Sequence, residues 1–247
     1  MTDLTGTTVL LTGALGSLGR AQTQALHAAG ADLVLLDRPG HAEADAFTGS
    51  FAERATYLGQ DLGHLQQAEE VVRDLAERRG GIGVLINNAA LIINKPFEDF
   101  SLDEYEEQIR VNSSAAFALS RAVAPGMKAK GAGRIVNFCS VTLNGGWDGY
   151  VPYVASKGAM LGLTKSLARE LGPFGIGVNA VSPGAVVSDA EARVFGDRAQ
   201  AYSDWVLARQ CLKRRIEPAA IADLVLFLVS PAAAMITGQN IACDGGW

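Results

Sequence analysis

Tyr153 and Lys157 stand four residues apart in the run Tyr153-Val154-Ala155-Ser156-Lys157, and Ser140 lies thirteen residues upstream. A phenol, an ammonium and a hydroxyl in one cleft are equipment for moving a proton off or onto an alcohol. On a helix, positions i and i+4 share a face, so Lys157 falls beside Tyr153 and its charge favours the phenolate. A tyrosine at its ordinary pKa of about 10 is a poor base at neutral pH. The expectation is that Lys157 pulls Tyr153 down toward the working range. Tyr and Lys at this spacing are also ordinary surface neighbours, so the pair gains meaning only from what else the chain supplies.

A second constellation begins at residue 12. Thr12-Gly13-Ala14-Leu15-Gly16-Ser17-Leu18-Gly19-Arg20 follows a short apolar run and leads into an expected helix that ends at Gly30. Glycines at 13, 16 and 19 permit a tight turn with close backbone approach, and the helix start at Ser17 and Leu18 offers free N–H groups to a pyrophosphate. The spacing reads G-x-x-G-x-x-G, and strand, turn, helix and strand follow in the order a dinucleotide site requires. Asp37 ends the next strand, eighteen residues after Gly19. A carboxylate there accepts hydrogen bonds from the adenosine ribose hydroxyls and repels a 2′-phosphate, which places NAD(H) ahead of NADP(H). Arg38 is either a solvated surface side chain or a guanidinium that tolerates a phosphate.

The elements that must position these groups are legible as alternating runs. Aliphatic and β-branched strands are expected at Thr8 to Leu11, Asp32 to Leu36, Ala55 to Leu58, Val84 to Asn87, Arg134 to Phe138, Gly177 to Val181 and Asn240 to Ala242. Helical patterns separate them; Gln66 to Leu75, for example, sets Val71, Val72 and Leu75 against charges on the other side. Near-continuous apolar strands alternating with helices indicate a parallel sheet covered on both faces. One domain over residues 1–247 is expected. Ser188 to Ile216 breaks the rhythm after the sixth strand, where ligands bind in such sheets, and reads as a substrate lid or a helical surface decoration.

Composition excludes several classes. Charged residues are 19% of the chain and scattered, with a net charge of -5, which leaves no basic face for nucleic acid. The longest apolar run, Leu224 to Val229, is too short to span a bilayer, so no membrane partner is expected. The start, from Met1 to Gly6, lacks the pattern of a signal peptide, and a cytoplasmic location is expected. Three cysteines, Cys139, Cys211 and Cys243, are odd in number and far apart, as suits reduced thiols. His27, His41 and His64 fall outside metal-ligand spacing, and no metal site is expected.

With these parts in order, the chain resembles the short-chain dehydrogenase/reductase family over essentially its full length. Thr12 to Gly19 is similar to the family's T-G-x-x-x-G-x-G turn, Asp61-Leu62 to its adenine-contacting acidic pair, and Asn87-Asn88-Ala89-Ala90 to its N-N-A-G signature, departing at Ala90. Asn112 matches the helix asparagine of a catalytic tetrad completed by Ser140, Tyr153 and Lys157. Ser182 to Ser188, with Pro183, Gly184 and Val186, resembles the segment lining the nicotinamide side, and Ser188 stands where many members carry Thr. Thr237 to Gly246 resembles the closing strand.

The resemblance implies a Rossmann-like, doubly wound α/β sheet of seven parallel strands, an NAD(P)-dependent oxidoreductase, and a homotetramer. It implies that Asn88, Ala89 and Ala90 meet the cofactor. Tyr153 would exchange the hydroxyl proton and Ser140 would hold the substrate oxygen. Lys157 would lower the Tyr153 pKa and bind the nicotinamide ribose, and Asn112 would position a water linking Lys157 to solvent.

The substrate walls are expected from Leu91 to Lys95, from Thr142 to Tyr150, and from the lid. Trp147, Tyr150, Tyr202 and Trp205 can stack on a sugar or aromatic ring or merely fill gaps. Asn94 and Thr142 are further candidate contacts. Arg193, with Arg198 and Arg209, either clamps an anion or is solvated. Trp247 either reaches a neighbouring subunit or packs locally. The reading is NAD-dependent interconversion of a secondary alcohol and its carbonyl, the alcohol being a sugar, a polyol or an aryl carbinol. Its rivals are an NADPH-dependent 3-oxoacyl reductase acting on acyl carrier protein or CoA, and a nucleotide-sensing protein without catalysis.

Overall fold

All seven expected strands form, and their side chains explain why. They are β1 (Thr8–Thr12), β2 (Asp32–Asp37), β3 (Ala55–Gly59), β4 (Val84–Asn87), β5 (Gly133–Phe138), β6 (Ile176–Pro183) and β7 (Asn240–Cys243). The structure, a computed structural model, describes residues 2–247; Met1, the edge of the expected domain, lies outside them. The strands form one parallel sheet in the order β3-β2-β1-β4-β5-β6-β7. Most strands run one or two residues longer than the apolar pattern alone marks, because polar end residues such as Thr12 and Asp37 continue the ladder.

Alternation along each strand divides the core in two. Leu10, Val34, Leu36, Leu85 and Ile135 point to one face, where they pack with Val72, Leu119 and Met127. Val9, Leu11, Leu33, Leu35 and Ile86 point to the other and meet Leu26, Ile221 and Val225. Both sets are buried, which is why the strands read as continuous apolar runs. The first face is covered by α3 (Leu65–Arg78), α5 (Ala115–Lys130) and α6 (Val151–Leu171), and the second by α1 (Ser17–Ala28) and α9 (Pro218–Val229). A short α2 (Ala44–Gly49) follows β2.

Two elements differ in detail from the pattern. The segment after Ser101 forms α4 (Leu102–Ile109), joined to α5 by a π-helical turn at Arg110–Ser114. Such a wide turn re-aims one side chain inward, here Asn112, which is 2 % exposed. The lid region holds α7 (Asp189–Phe195) and α8 (Ala199–Arg209), and an isolated parallel bridge between Val186 and Ile216 ties its two ends together. No residue of α7 is buried, and of α8 only Val206. Among the described residues, no helix is long and apolar enough to cross a membrane and no cluster of His, Cys, Asp or Glu could hold a metal ion.

Candidate active site

Strand order reverses between β1 and β4, and a cleft of about 1080 Å³ opens there along the carboxyl ends of the strands. That is the topological switch point where ligands bind in open α/β sheets, and the volume sits at the top of the roughly 300–1,000 Å³ usual for cofactor sites. The glycine turn forms its floor. Gly13 has φ +64, and a Cβ on it would lie 2.8 Å from Ala89 Cα; a Cβ on Gly19 would lie 2.1 Å from the Gly13 carbonyl oxygen. The turn is thus pressed against the chain after β4, at a distance only glycine allows.

Asn88 holds that turn. Its Nδ2 donates to the carbonyls of Thr12 (2.9 Å) and Gly13 (3.1 Å), and its Oδ1 accepts from Gln22 Nε2 (3.0 Å). Thr12 Oγ1 accepts from the N–H groups of Asn88 and Ala89, both at 3.0 Å. The polar atoms of Asn88 are therefore spent on the turn. Gln22 was not anticipated, although a polar residue sharing a helix face with Gly19 and Leu26 is its sequence signal. Beyond the turn, the amino end of α1 begins at Gly16 with no side-chain cap, which leaves its first-turn N–H groups at Ser17, Leu18 and Gly19 to face the cleft.

Asp37 stands at the far wall. Its Oδ2 accepts from the Leu15 N–H and its Oδ1 from the Arg38 N–H, both at 2.8 Å. The carboxylate is thereby aimed across the end of the glycine turn while Arg38 is exposed beside it. Arg20 is turned away: its Nε donates to the Leu15 carbonyl and its Nη2 to Glu43. Asp61 and Leu62 line the same end, with Asp61 Oδ1 accepting from the Gly63 N–H at 2.7 Å. At the other end the cleft is walled by Ala89, Ala90, Pro183, Gly184, Val186 and Ser188. A phosphate-ready helix start, a glycine turn with no room for a Cβ at Gly13 or Gly19 and a carboxylate at the end of β2 fit a nicotinamide dinucleotide.

Ser140, Tyr153 and Lys157 meet where this cleft joins a smaller cavity. Lys157, 1 % exposed, donates from Nζ to the Phe138 carbonyl at 2.7 Å and lies 5.4 Å from the centre of the Tyr153 ring. Burial pulls its pKa down from 10.5 to about 8. Burial also pushes Tyr153 up to about 12, an effect the Ser140 hydroxyl partly offsets. The expected lowering of Tyr153 by Lys157 is not what the structure has: burial of the phenol dominates, and the Lys157 ammonium is engaged with the Phe138 carbonyl. Ser140 Oγ accepts from Thr142 Oγ1 at 2.9 Å. Asn112 does not touch Lys157: its Oδ1 accepts from the Leu91 N–H (2.6 Å), and its Nδ2 donates to the Leu91 carbonyl (2.9 Å) and to Ser156 Oγ (3.0 Å).

The smaller cavity, about 120 Å³, is walled by Thr142, Trp147, Tyr150, Glu191 and Tyr202 among others. Two sequence candidates lie elsewhere. Asn94 donates to the Asp148 carbonyl at 3.1 Å, clasping two loops, and Trp205 stands behind the cavity wall in an aromatic cluster. Arg193 is exposed on the wall of the larger cleft, while Arg198 and Arg209 lie over the rings of Phe195 and Trp205. Trp247 packs on its own chain, stacked on Trp147 at 4.3 Å with the rings 22° apart. Glu191 was missed, since Ser188 three residues before it signals only a helix start, which the bond from the Glu191 N–H to Ser188 Oγ makes (3.2 Å).

The sequence model of the family described as enoyl-(acyl carrier protein) reductase matches residues 13–247. The chain is 33% identical over 248 residues to a D-xylose 1-dehydrogenase of Caulobacter vibrioides, covering 99% of this chain and 97% of that protein. It is 32% identical to a 3-oxoacyl-[acyl-carrier-protein] reductase of Vibrio harveyi, covering 99% and 98%. Among solved structures, a putative NAD(P)-dependent gluconate 5-dehydrogenase of Beutenbergia cavernae, with bound NADP, superimposes with a TM-score of 0.92 at 36% identity, covering 99% of this chain and 98% of that one.

Proposed function

The chain belongs to the short-chain dehydrogenase/reductase family, and from that membership we propose that it is an NAD-dependent enzyme oxidising a secondary alcohol of the sugar, polyol or aryl carbinol class. The observation that carries the reading is the meeting of Tyr153, Ser140 and Lys157 at the junction of the long cleft and the small cavity. A dinucleotide held by the glycine turn, Asp37, Asp61 and the Pro183 to Ser188 wall supplies a two-electron acceptor there. Everything else is proton and position chemistry of the chain itself.

In this proposal Tyr153 takes the alcohol proton as its phenolate and returns it in the reverse direction. Ser140 donates a hydrogen bond to the substrate oxygen and steadies the charge that grows there. Lys157 supplies the positive charge that must offset the burial cost of a Tyr153 phenolate, which requires it to turn from the Phe138 carbonyl toward the phenol side. Asn112, fixed by Leu91 and Ser156, sets the floor of the proton path as a positioning residue.

NAD is favoured by Asp37 and by the engagement of Arg20 with Leu15 and Glu43, which keeps the Arg20 guanidinium away from a 2′-phosphate. Sugar oxidation is supported by the relative named for D-xylose. The enzyme is proposed to work in the cytoplasm as a homotetramer, with Phe117 and Tyr105 among the exposed apolar residues of α4 and α5 available for subunit contact. A panel of secondary alcohols and sugars with NAD and NADP, followed at 340 nm, tests the reading. Tyr153→Phe should abolish turnover with cofactor binding intact, and substantial residual activity would refute Tyr153 as the proton carrier. Turnover only of 3-oxoacyl thioesters with NADPH would select the reductase, and cofactor binding without any turnover the sensor.

A further inference from the structure

Resting on the alcohol-oxidation reading above, we propose that Glu191 is a specificity-determining residue that selects an uncharged, hydroxyl-bearing substrate and turns away an anionic one. The argument starts from where the charges of the lid point. Glu191 lines the small cavity beside Ser140 and Tyr153. One of its oxygens, Oε2, accepts from Arg215 Nη2, and Arg215 also donates to the Ala185 carbonyl at 3.3 Å. The pair is largely buried, with side chains 14% and 16% exposed, so the carboxylate is held in one place. Among the described residues no donor reaches its second oxygen, Oε1, and the residue is part of the cavity wall.

No basic side chain answers it on the cavity wall. Arg215, which pairs with Glu191 and lies 5.8 Å from the centre of the Tyr202 ring, is not itself part of the lining. Arg198 and Arg209 lie over Phe195 and Trp205, and Arg209 Nη1 points to the Trp205 carbonyl at 3.4 Å. Lys213 caps the end of α8, donating to the carbonyls of Leu207 (2.8 Å) and Gln210 (2.6 Å). Arg193 faces the larger cleft. None of the lid arginines lines the small cavity, whereas the carboxylate-bearing Glu191 does.

The remaining walls suit a compact neutral molecule. Tyr202, stacked on Phe195 at 3.6 Å, and Trp147 offer apolar faces, while Thr142, Tyr150 and Tyr202 offer hydroxyls. The volume of about 120 Å³ is close to that of an engineered cavity that holds benzene, about 150 Å³, so it takes roughly one small ring beyond the reacting carbon. A substrate hydroxyl donating to Glu191 Oε1 satisfies both partners. A substrate carboxylate there meets a like charge with no basic side chain on the described cavity wall to answer it, which disfavours an anion.

The test compares matched alcohols on the purified protein with NAD: D-glucitol against D-gluconate, and cyclohexane-1,4-diol against 4-hydroxycyclohexanecarboxylate. For the wild type, kcat/KM should favour the neutral member of each pair by roughly 30-fold or more. Glu191→Gln keeps the shape and removes the charge, and should narrow that ratio to about fivefold or less, chiefly through a lower KM for the anion. If leaving Arg215 unpaired prevents folding, the double variant Glu191→Gln with Arg215→Met replaces it. Inhibition of the wild type by the anionic member, which needs no variant, should be correspondingly weak. Equal or better oxidation of the anions, or a ratio unmoved by Glu191→Gln, overturns the assignment. Cofactor binding with no oxidation of either member overturns the alcohol-oxidation reading itself, and is recognised by silence in both arms.

Discussion

Replacing Lys157 by Met removes an ammonium that the structure buries almost completely. Burial lowers its pKa from 10.5 to about 8, and at about 1.4 kcal/mol per pH unit the charged form costs the fold about 3 kcal/mol. Opposing this is the bond to the Phe138 carbonyl, 2.7 Å long and made by a charged donor, which contributes about 1.5–3 kcal/mol. A folded-state pKa of about 8 leaves the charged form at a net cost despite this bond, so Lys157→Met should be as stable as the wild type at pH 7 or up to about 3 kcal/mol more stable. A buried charged residue lost from a stabilising pair would instead cost about 3–5 kcal/mol.

The pH dependence separates the two cases. Between about 8 and 10.5 the unfolded chain holds a proton on Lys157 that the folded chain has released, so wild-type stability rises with pH through that window. Below about 8 both states are protonated and the full cost is present. Cys139, pushed up to about 11 by burial, works in the opposite direction above its ordinary 9, but it is common to both proteins and largely cancels in their difference. Urea unfolding of both at pH 7.5 and 9.5 should therefore show the wild type gaining about 2 kcal/mol on Lys157→Met. Parallel stabilities, with the variant about 3 kcal/mol lower at each pH, would refute the claim that this ammonium is held at a cost.

Two other substitutions probe the cofactor end. Asp37→Ala removes both the ribose acceptor and the partner of the Leu15 N–H, so NAD affinity by titration calorimetry should fall about tenfold or more and the preference over NADP should shrink; an unchanged preference contradicts its role. Asn88→Ala breaks the three bonds to Thr12, Gly13 and Gln22, and should cost about 2–4 kcal/mol in denaturant unfolding together with weaker cofactor binding. Undiminished stability would show that the Asn88 side chain does not hold the turn.

The cofactor half was legible because local rules govern it. A strand of Val9, Leu10 and Leu11 buried on both faces can only read as an apolar run, and the glycine after it is required because a Cβ on Gly13 would run into Ala89. Asp37 is placed by β2 alone. What the pattern could not show is how far burial changes chemistry. The i, i+4 rule put Lys157 beside Tyr153 correctly, yet it carries no information about Phe138, nineteen residues away, whose carbonyl takes the ammonium. Asn112 is similar: a helix pattern runs smoothly through it, and only the π-helical turn at Arg110–Ser114 aims it at Leu91.

The substrate half depends on contacts between distant segments, and there residue type misled. Arginines on an exposed lid suggest an anion, but their direction is set by rings and carbonyls on their own helices, as Arg209 over Trp205 shows. Trp205 itself supports the wall without lining it, because Trp147, Trp205 and Trp247 pack against one another from three separate segments. The same packing brings α8 and the end of the chain against the Thr142 to Tyr150 loop. With so little of α7 and α8 buried elsewhere, the shape of the cavity rests on this aromatic cluster and on the Glu191–Arg215 pair. A site built this way can change its substrate through a few lid residues while the glycine turn, Asp37 and the Tyr153 helix stay as they are. That division is why family membership gives the reaction class and leaves the substrate to the residues of the lid.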